Sequence, residues 1–220
     1  MKLPRRPATP SAFSLIELVV VIAIIAIIAT FTVPAATTIL KGSALTQASQ
    51  TLTDQISFAR QRALSRNLAV EVRFYQYADP EAPGETLSDP TTGQYRAIQL
   101  FEVVESGVAI PIDKPQRLPI SVAMETNVTF STLIADATQT TKKPVASDPE
   151  LPRGVAKNYN YVSFRFQQDG STNLLPTKTW FVTIRNLTDQ ATATTPPPNF
   201  FTLQIDPESG AVKGFRPTAA

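Results

Sequence analysis

The chain has no histidine and no cysteine among its 220 residues. Without imidazole or thiol, the common catalytic triads, thiolate nucleophiles and zinc sites cannot be assembled. For the same reason an exported domain of this sequence must hold together by its core, without disulfides. Eight glycines leave little material for a phosphate-cradling loop, and no Gly-x-Ser-x-Gly elbow occurs. These absences exclude the usual enzyme classes and imply no cofactor. Net charge is scarce as well, at +2 for the whole chain. Three of the 20 cations, Lys2, Arg5 and Arg6, stand in the first 12 residues, which hold no acid, so from Phe13 onward 17 cations face 18 anions. Nothing in that balance recommends nucleic acid as a partner.

What the chain does have is an apolar run from Ala12 to Ala36 with one carboxylate, Glu17, near its start. Leu18 to Ala29 contains no polar side chain. About 20 helical residues span a hydrocarbon core roughly 30 Å thick, so the run is of membrane length. The basic head predicts a cytoplasmic N-terminus, with everything after Lys41 carried across. A cleaved secretory signal is the alternative, and Pro34-Ala35-Ala36 imitates its cleavage site, but its apolar core would be shorter and would not enclose an acid. An acid at a bilayer edge calls for a partner or a purpose. No Lys, Arg or His follows it within the run. The nearest available cation is the amine created by cutting the chain before Phe13, on this subunit or on a neighbour.

The string Ala-Phe-Ser-Leu-Ile-Glu-Leu (residues 12–18), with a short basic leader before it and the apolar run after it, resembles the class III signal of type IV prepilins and type II secretion pseudopilins. That resemblance implies cleavage by a prepilin peptidase between Ala12 and Phe13, N-methylation of Phe13, and Glu17 as the acid that guides filament assembly. One departure is Ala12, where that family nearly always has Gly. Pro4, Pro7 and Pro10 make the leader extended rather than helical.

Beyond Lys41 the apolar pattern becomes one-sided. Leu45, Ala48, Leu52, Ile56, Ala59 and Ala63 step by three or four, the stripe of an amphipathic helix laid on a sheet. Gly42 and Pro34 are expected to loosen and kink the helix. Near Asn67 the period switches to two, with Val70, Val72 and Phe74 forming one face of a strand. This passage, with Phe58 to Asn67 at its centre, is similar to the H-type minor pseudopilins and their FimT-like relatives. Arg60, Arg62 and Arg66 suit the negative end of the helix dipole; the alternative is an arginine patch for an anionic partner.

The rest reads as β-rich. Residues 78–94 read as an exposed loop, Tyr95 to Glu105 as a strand whose inner face is ambiguous, and Leu118 to Glu125 and Val128 to Leu133 as further strand candidates. Residues 135–158 read as a second irregular insertion, too polar to bury. Val162/Phe164/Phe166, Trp180/Val182/Ile184 and Phe201/Leu203/Ile205 mark three closing strands, with turns at Asp169-Gly170 and Ser209-Gly210 and a stiff proline connector over 194–199. The expected fold is α+β and pilin-like: a long N-terminal helix packed on an antiparallel sheet. Its expected divisions are a leader at 1–12, a transmembrane and assembly helix at 13–40, an amphipathic helix at 41–68 and a periplasmic β-domain at 69–220. A pilin-like cassette family, Verru_Chthon cassette protein D, shares the signal and a proline-rich β-domain.

Two weaker signals stand beside these. Asp79, Glu81, Glu85 and Asp89 are a candidate calcium cluster, but they lack the Asp-x-Asp-x-Asp-Gly order, and a solvated acidic loop is the plainer reading. Lys213 and Arg216 beside Phe215 are similar to the basic tails with which some FimT-like minor pilins bind DNA, yet two cations release few counterions. The function implied is a structural minor pseudopilin or minor pilin of the inner membrane and a periplasmic filament, partnered by the peptidase and by other pilin subunits. The alternatives are a membrane-tethered binding module for DNA or substrate, and an unprocessed membrane anchor.

Overall fold

The computed structural model describes residues 14–82, 84–189, 191–192 and 194–217, and for 31–38 the backbone alone. The first helix, α1 (Leu15–Arg66), runs through Pro34 and Gly42 without a break. The chain divides into two compact units, 1–40 and 41–220.

In the second unit, the α1 stripe is the inner wall of the core. Leu45, Ala48, Leu52, Ile56, Ala59 and Ala63 are each no more than 1% exposed. The small residues let the helix sit close to the sheet, and each buried Leu or Ile contributes about 1.5–3 kcal/mol. The helix stops because Asn67 adopts φ 52°, a left-handed conformation that asparagine tolerates.

Among the described residues nine strands follow: β1 (Ala69–Tyr77), β2 (Gln94–Val103), β3 (Ala109–Pro111), β4 (Gln116–Arg117), β5 (Val122–Met124), β6 (Asn160–Phe166), β7 (Trp180–Asn186), β8 (Phe200–Ile205) and β9 (Val212–Phe215). They form one antiparallel sheet in the order β6-β1-β2-β5-β7-β8-β9, with β3 and β4 also paired to β2. Val70, Val72 and Phe74 join Ile98, Leu100, Val162, Phe164, Phe166, Trp180, Val182, Ile184, Leu203 and Ile205 against the helix.

The ambiguous face of the second strand is resolved by both sides being buried. Tyr75, Tyr77, Ala97, Phe101 and Tyr161 face away from the main core and are covered by Leu151, Val155 and Tyr159. Leu151 and Val155 of the 135–158 insertion, with Tyr159 just after it, thus form a second layer, correcting the expectation that the insertion is too polar to bury at that end; the rest of it stays exposed or half-buried. A bulge pairs Tyr75 with Ala97 and Gln76 with Tyr95, leaving Arg96 as the extra residue.

Arg96 explains a second correction. It is fully buried, and the 78–94 loop turns two of its four acids, Asp79 and Glu85, inward to meet it. Glu85 pairs with Arg96, and Asp79 pairs with Arg117 and stands 3.7 Å from Arg96 Nη1. Val128 to Leu133 is not a strand. The Asn127 side chain accepts the Thr129 N–H and its carbonyl accepts those of Phe130 and Ser131, which starts a turn leading into a short helix, α2 (Thr132–Ala135). The Ser131 and Thr132 hydroxyls then accept the Thr183 and Phe181 N–H groups, standing in for a neighbouring strand on β7. Of Leu118 to Glu125, only Val122–Met124 is extended into a strand.

The sheet curls so that its two ends meet. The Thr172 N–H, just past β6, donates to the Pro207 carbonyl at 2.8 Å. Gly170 and Gly210 lie at φ +82° and +65°, and a Cβ on Gly210 would fall 2.0 Å from the Gly170 oxygen. Arg60 donates from Nε to the Ser209 carbonyl, tying this closure to α1.

Candidate functional site

The segment Ser14 to Thr30 is helical from Leu15, and its apolar side chains are open all round. Leu15 and Ile16 are 82% and 72% exposed, and the large residues from Leu18 to Ile28 remain about half exposed. Such a surface requires lipid or other apolar helices to cover it. Its last described polar group suits that setting, since Thr30 Oγ1 donates to the Ala26 carbonyl at 2.7 Å and spends its hydroxyl within the helix. Among the described residues no helix is long and apolar enough to cross a membrane. The side chains of 31–38, which continue the run in the sequence, lie outside them.

Glu17 has a local role that the sequence reading missed. The Ser14 N–H donates to Glu17 Oε2 at 3.4 Å, and the Glu17 N–H donates to Ser14 Oγ at 3.2 Å. This is a capping box, in which the residue just before the helix and the third helical residue satisfy each other's orphan groups. Serine followed three residues later by glutamate, ahead of an apolar run, is its sequence signature. A carboxylate so placed also complements the positive end of the helix dipole. The box leaves Glu17 Oε1 with no hydrogen bond among the described residues, so the acid keeps an acceptor for a further partner. Ala12 and Phe13, the expected cleavage and methylation positions, lie outside the described residues.

The remaining candidates disperse. Arg62 pairs with Glu102 at 2.6 Å and Arg66 approaches the same carboxylate at 3.7 Å, so with Arg60 bound to Ser209 the arginines bind the helix to the sheet. Asp79 and Glu85 are spent on Arg96 and Arg117, Glu81 pairs with Arg153, and Asp89 caps a 3₁₀ turn at Pro90–Thr92. Among the described residues, no group of three or more acidic side chains is placed to hold a metal ion. Lys213 lies in β9, while Arg216 just beyond it donates to Thr46 Oγ1 at 3.2 Å. Arg216 is thereby drawn to α1, and no contact joins it to Lys213 among the described residues.

Residues 10–33 match the family described as the prokaryotic N-terminal methylation motif. No curated protein matches the chain in sequence. Two solved structures are similar to it. The minor pseudopilin EpsH of the type 2 secretion system of Vibrio cholerae is 7% identical with a TM-score of 0.42, over 80% of this chain and 98% of that one. The type IV minor pilin FimU of Pseudomonas aeruginosa is 13% identical with a TM-score of 0.41, over 80% of this chain and 93% of that one.

Proposed function

We propose that this chain is a minor pseudopilin or minor pilin, a structural subunit of a type IV pilin-like filament. The observation that carries the reading is the N-terminal methylation motif over residues 10–33, with Glu17 the single acid of the exposed apolar helix behind it. On this reading a prepilin peptidase removes residues 1–12, Phe13 becomes an N-methylated terminus, and 13–40 hold the chain in the inner membrane. Residues 41–68 and 69–220 then form the periplasmic domain.

The chemistry of Glu17 supports assembly. A carboxylate in lipid costs about 2.5–3.5 kcal/mol at mid-membrane and less near the edge. The Ser14 N–H offsets part of that cost through Oε2. A cationic N-terminus from a neighbouring subunit would neutralise the rest and set the register of helix on helix. The machine served is a type II secretion system or a type IV pilus, and deleting the gene distinguishes them by loss of secretion or loss of pili.

The test is Glu17→Ala. Membrane insertion and processing should be retained, with the protein absent from sheared or purified filaments. Normal incorporation of the variant would overturn the pairing. The second reading, a tethered DNA-binding module, has less support because Arg216 is engaged by Thr46 and two cations release few counterions.

A further inference from the structure

The face of the sheet turned away from α1 carries an open groove of about 320 Å³ between the β2–β3 hairpin and the loop around Asp148. Its floor is rigid. The Arg73 guanidinium lies 4.1 Å from the centre of the Phe101 ring and 4.6 Å from that of Tyr161. Its Nε donates to Glu71 and its Nη1 to Asp148, both at 2.7 Å. Arg165 reaches the other Glu71 oxygen from Nε at 3.0 Å and from Nη2 at 2.9 Å. Both acids of the lining are thus already spent on arginines.

The cations are not all spent. Lys142 donates to Ser163 Oγ at 2.9 Å and lies 5.8 Å over the Tyr161 ring, and it makes no ion pair among the described residues. Three cations against two acids leave one positive charge uncompensated at the mouth. The groove walls there are apolar, with Val108 54% and Val145 59% exposed. The volume lies within the range of ligand clefts and exceeds what one carboxylate needs.

We infer that this groove is a docking site for an acidic residue flanked by aliphatic side chains on an extended segment of a protein partner. The carboxylate meets Lys142 and the open side of Arg165. The flanking side chains cover Val108 and Val145. Because the floor is held by rings and ion pairs before anything binds, little ordering is lost on docking. The surface lies wholly within the second unit, so the inference stands whether or not the chain is processed at Phe13.

The test uses the full chain in uncharged detergent micelles and a fluorescein-labelled Gly-Val-Asp-Val-Gly peptide, with its Asn counterpart, read by fluorescence anisotropy. Saturable binding of the Asp peptide is expected, about fivefold tighter than the Asn peptide, the upper end for an exposed charge pair. Lys142→Gln should remove that preference while leaving the thermal unfolding midpoint unchanged, and Val108→Ser should weaken both peptides. Lys213→Gln, distant on β9, should change nothing. No saturable binding up to about 5 mM, which excludes a millimolar or tighter affinity, would overturn the inference. So would equal binding of the two peptides by the native chain, or tighter binding of a single-stranded oligonucleotide than of the Asp peptide.

Discussion

Replacing Asp79 by alanine should destabilise the β-domain more than any exposed-loop substitution of similar size. Asp79 is 1% exposed, receives the Glu81 N–H at 3.0 Å, and pairs with Arg117 beside the fully buried Arg96. Removing one partner of a buried ion pair costs about 3–5 kcal/mol because the other charge stays buried. Arg96 would retain Glu85, and Arg117 is partly solvated, so the lower end, about 3 kcal/mol, applies. For a domain of this size that corresponds to a fall of about 6–12 °C in the unfolding midpoint. Thermal unfolding followed by circular dichroism measures it, with limited proteolysis of 79–93 as a local readout. Glu81→Ala is the control, since Glu81 and Arg153 are both at least half exposed and such a pair contributes at most about 1 kcal/mol. An Asp79→Ala cost no larger than that of Glu81→Ala would refute the claim that the loop is anchored by buried charge.

Stability should also fall on the acid side through Glu71. Burial alone would raise its pKa, but Arg73 and Arg165 outweigh this and hold it below the ordinary 4.5. A depressed folded value means the contribution is present above about pH 4.5 and is lost as pH falls through the folded pKa. Urea midpoints measured from pH 6 to 3 should therefore drop less steeply in Glu71→Gln than in the native chain; parallel profiles would contradict the pairing. Gly210→Ala should cost about 3 kcal/mol or more, from positive-φ strain plus the clash with the Gly170 carbonyl. Gly84→Ala, at φ +83° in open space, should cost only the strain, about 1 kcal/mol. Equal losses in urea titrations would mean the two ends of the sheet do not meet at that turn.

The parts of the fold legible in the sequence are those written in local periodicity. The stripe from Leu45 to Ala63, the switch of period at Asn67 and the three closing strands each announce one buried face, and each lies where the pattern puts it. The second layer was not legible because Leu151, Val155 and Tyr159 sit among polar residues with no period. Their burial depends on a sheet face that forms only once β6, β1 and β2 are assembled. The ion clusters were hidden for the same reason. Arg73 finds Asp148 75 positions away and Arg117 finds Asp79 38 positions away, pairings that topology makes and spacing does not reveal. Val128 to Leu133 misled because its β-branched residues outweighed the Asn127 turn signal just before them. At the N-terminus the residues of the methylation motif are contiguous, so the motif is read directly. The Ser14–Glu17 pair is legible only when the carboxylate is set against its own helix start as well as against lipid.

The central claim is tested most directly by the mass of the N-terminal peptide of the membrane-extracted protein, with and without the cell's prepilin peptidase. The account predicts an N-methylated Phe13 that disappears when the peptidase is removed. An intact Met1 in both cells would contradict it and make the chain a signal-anchored protein, and a start after Ala35 or Ala36 would make it a secreted one.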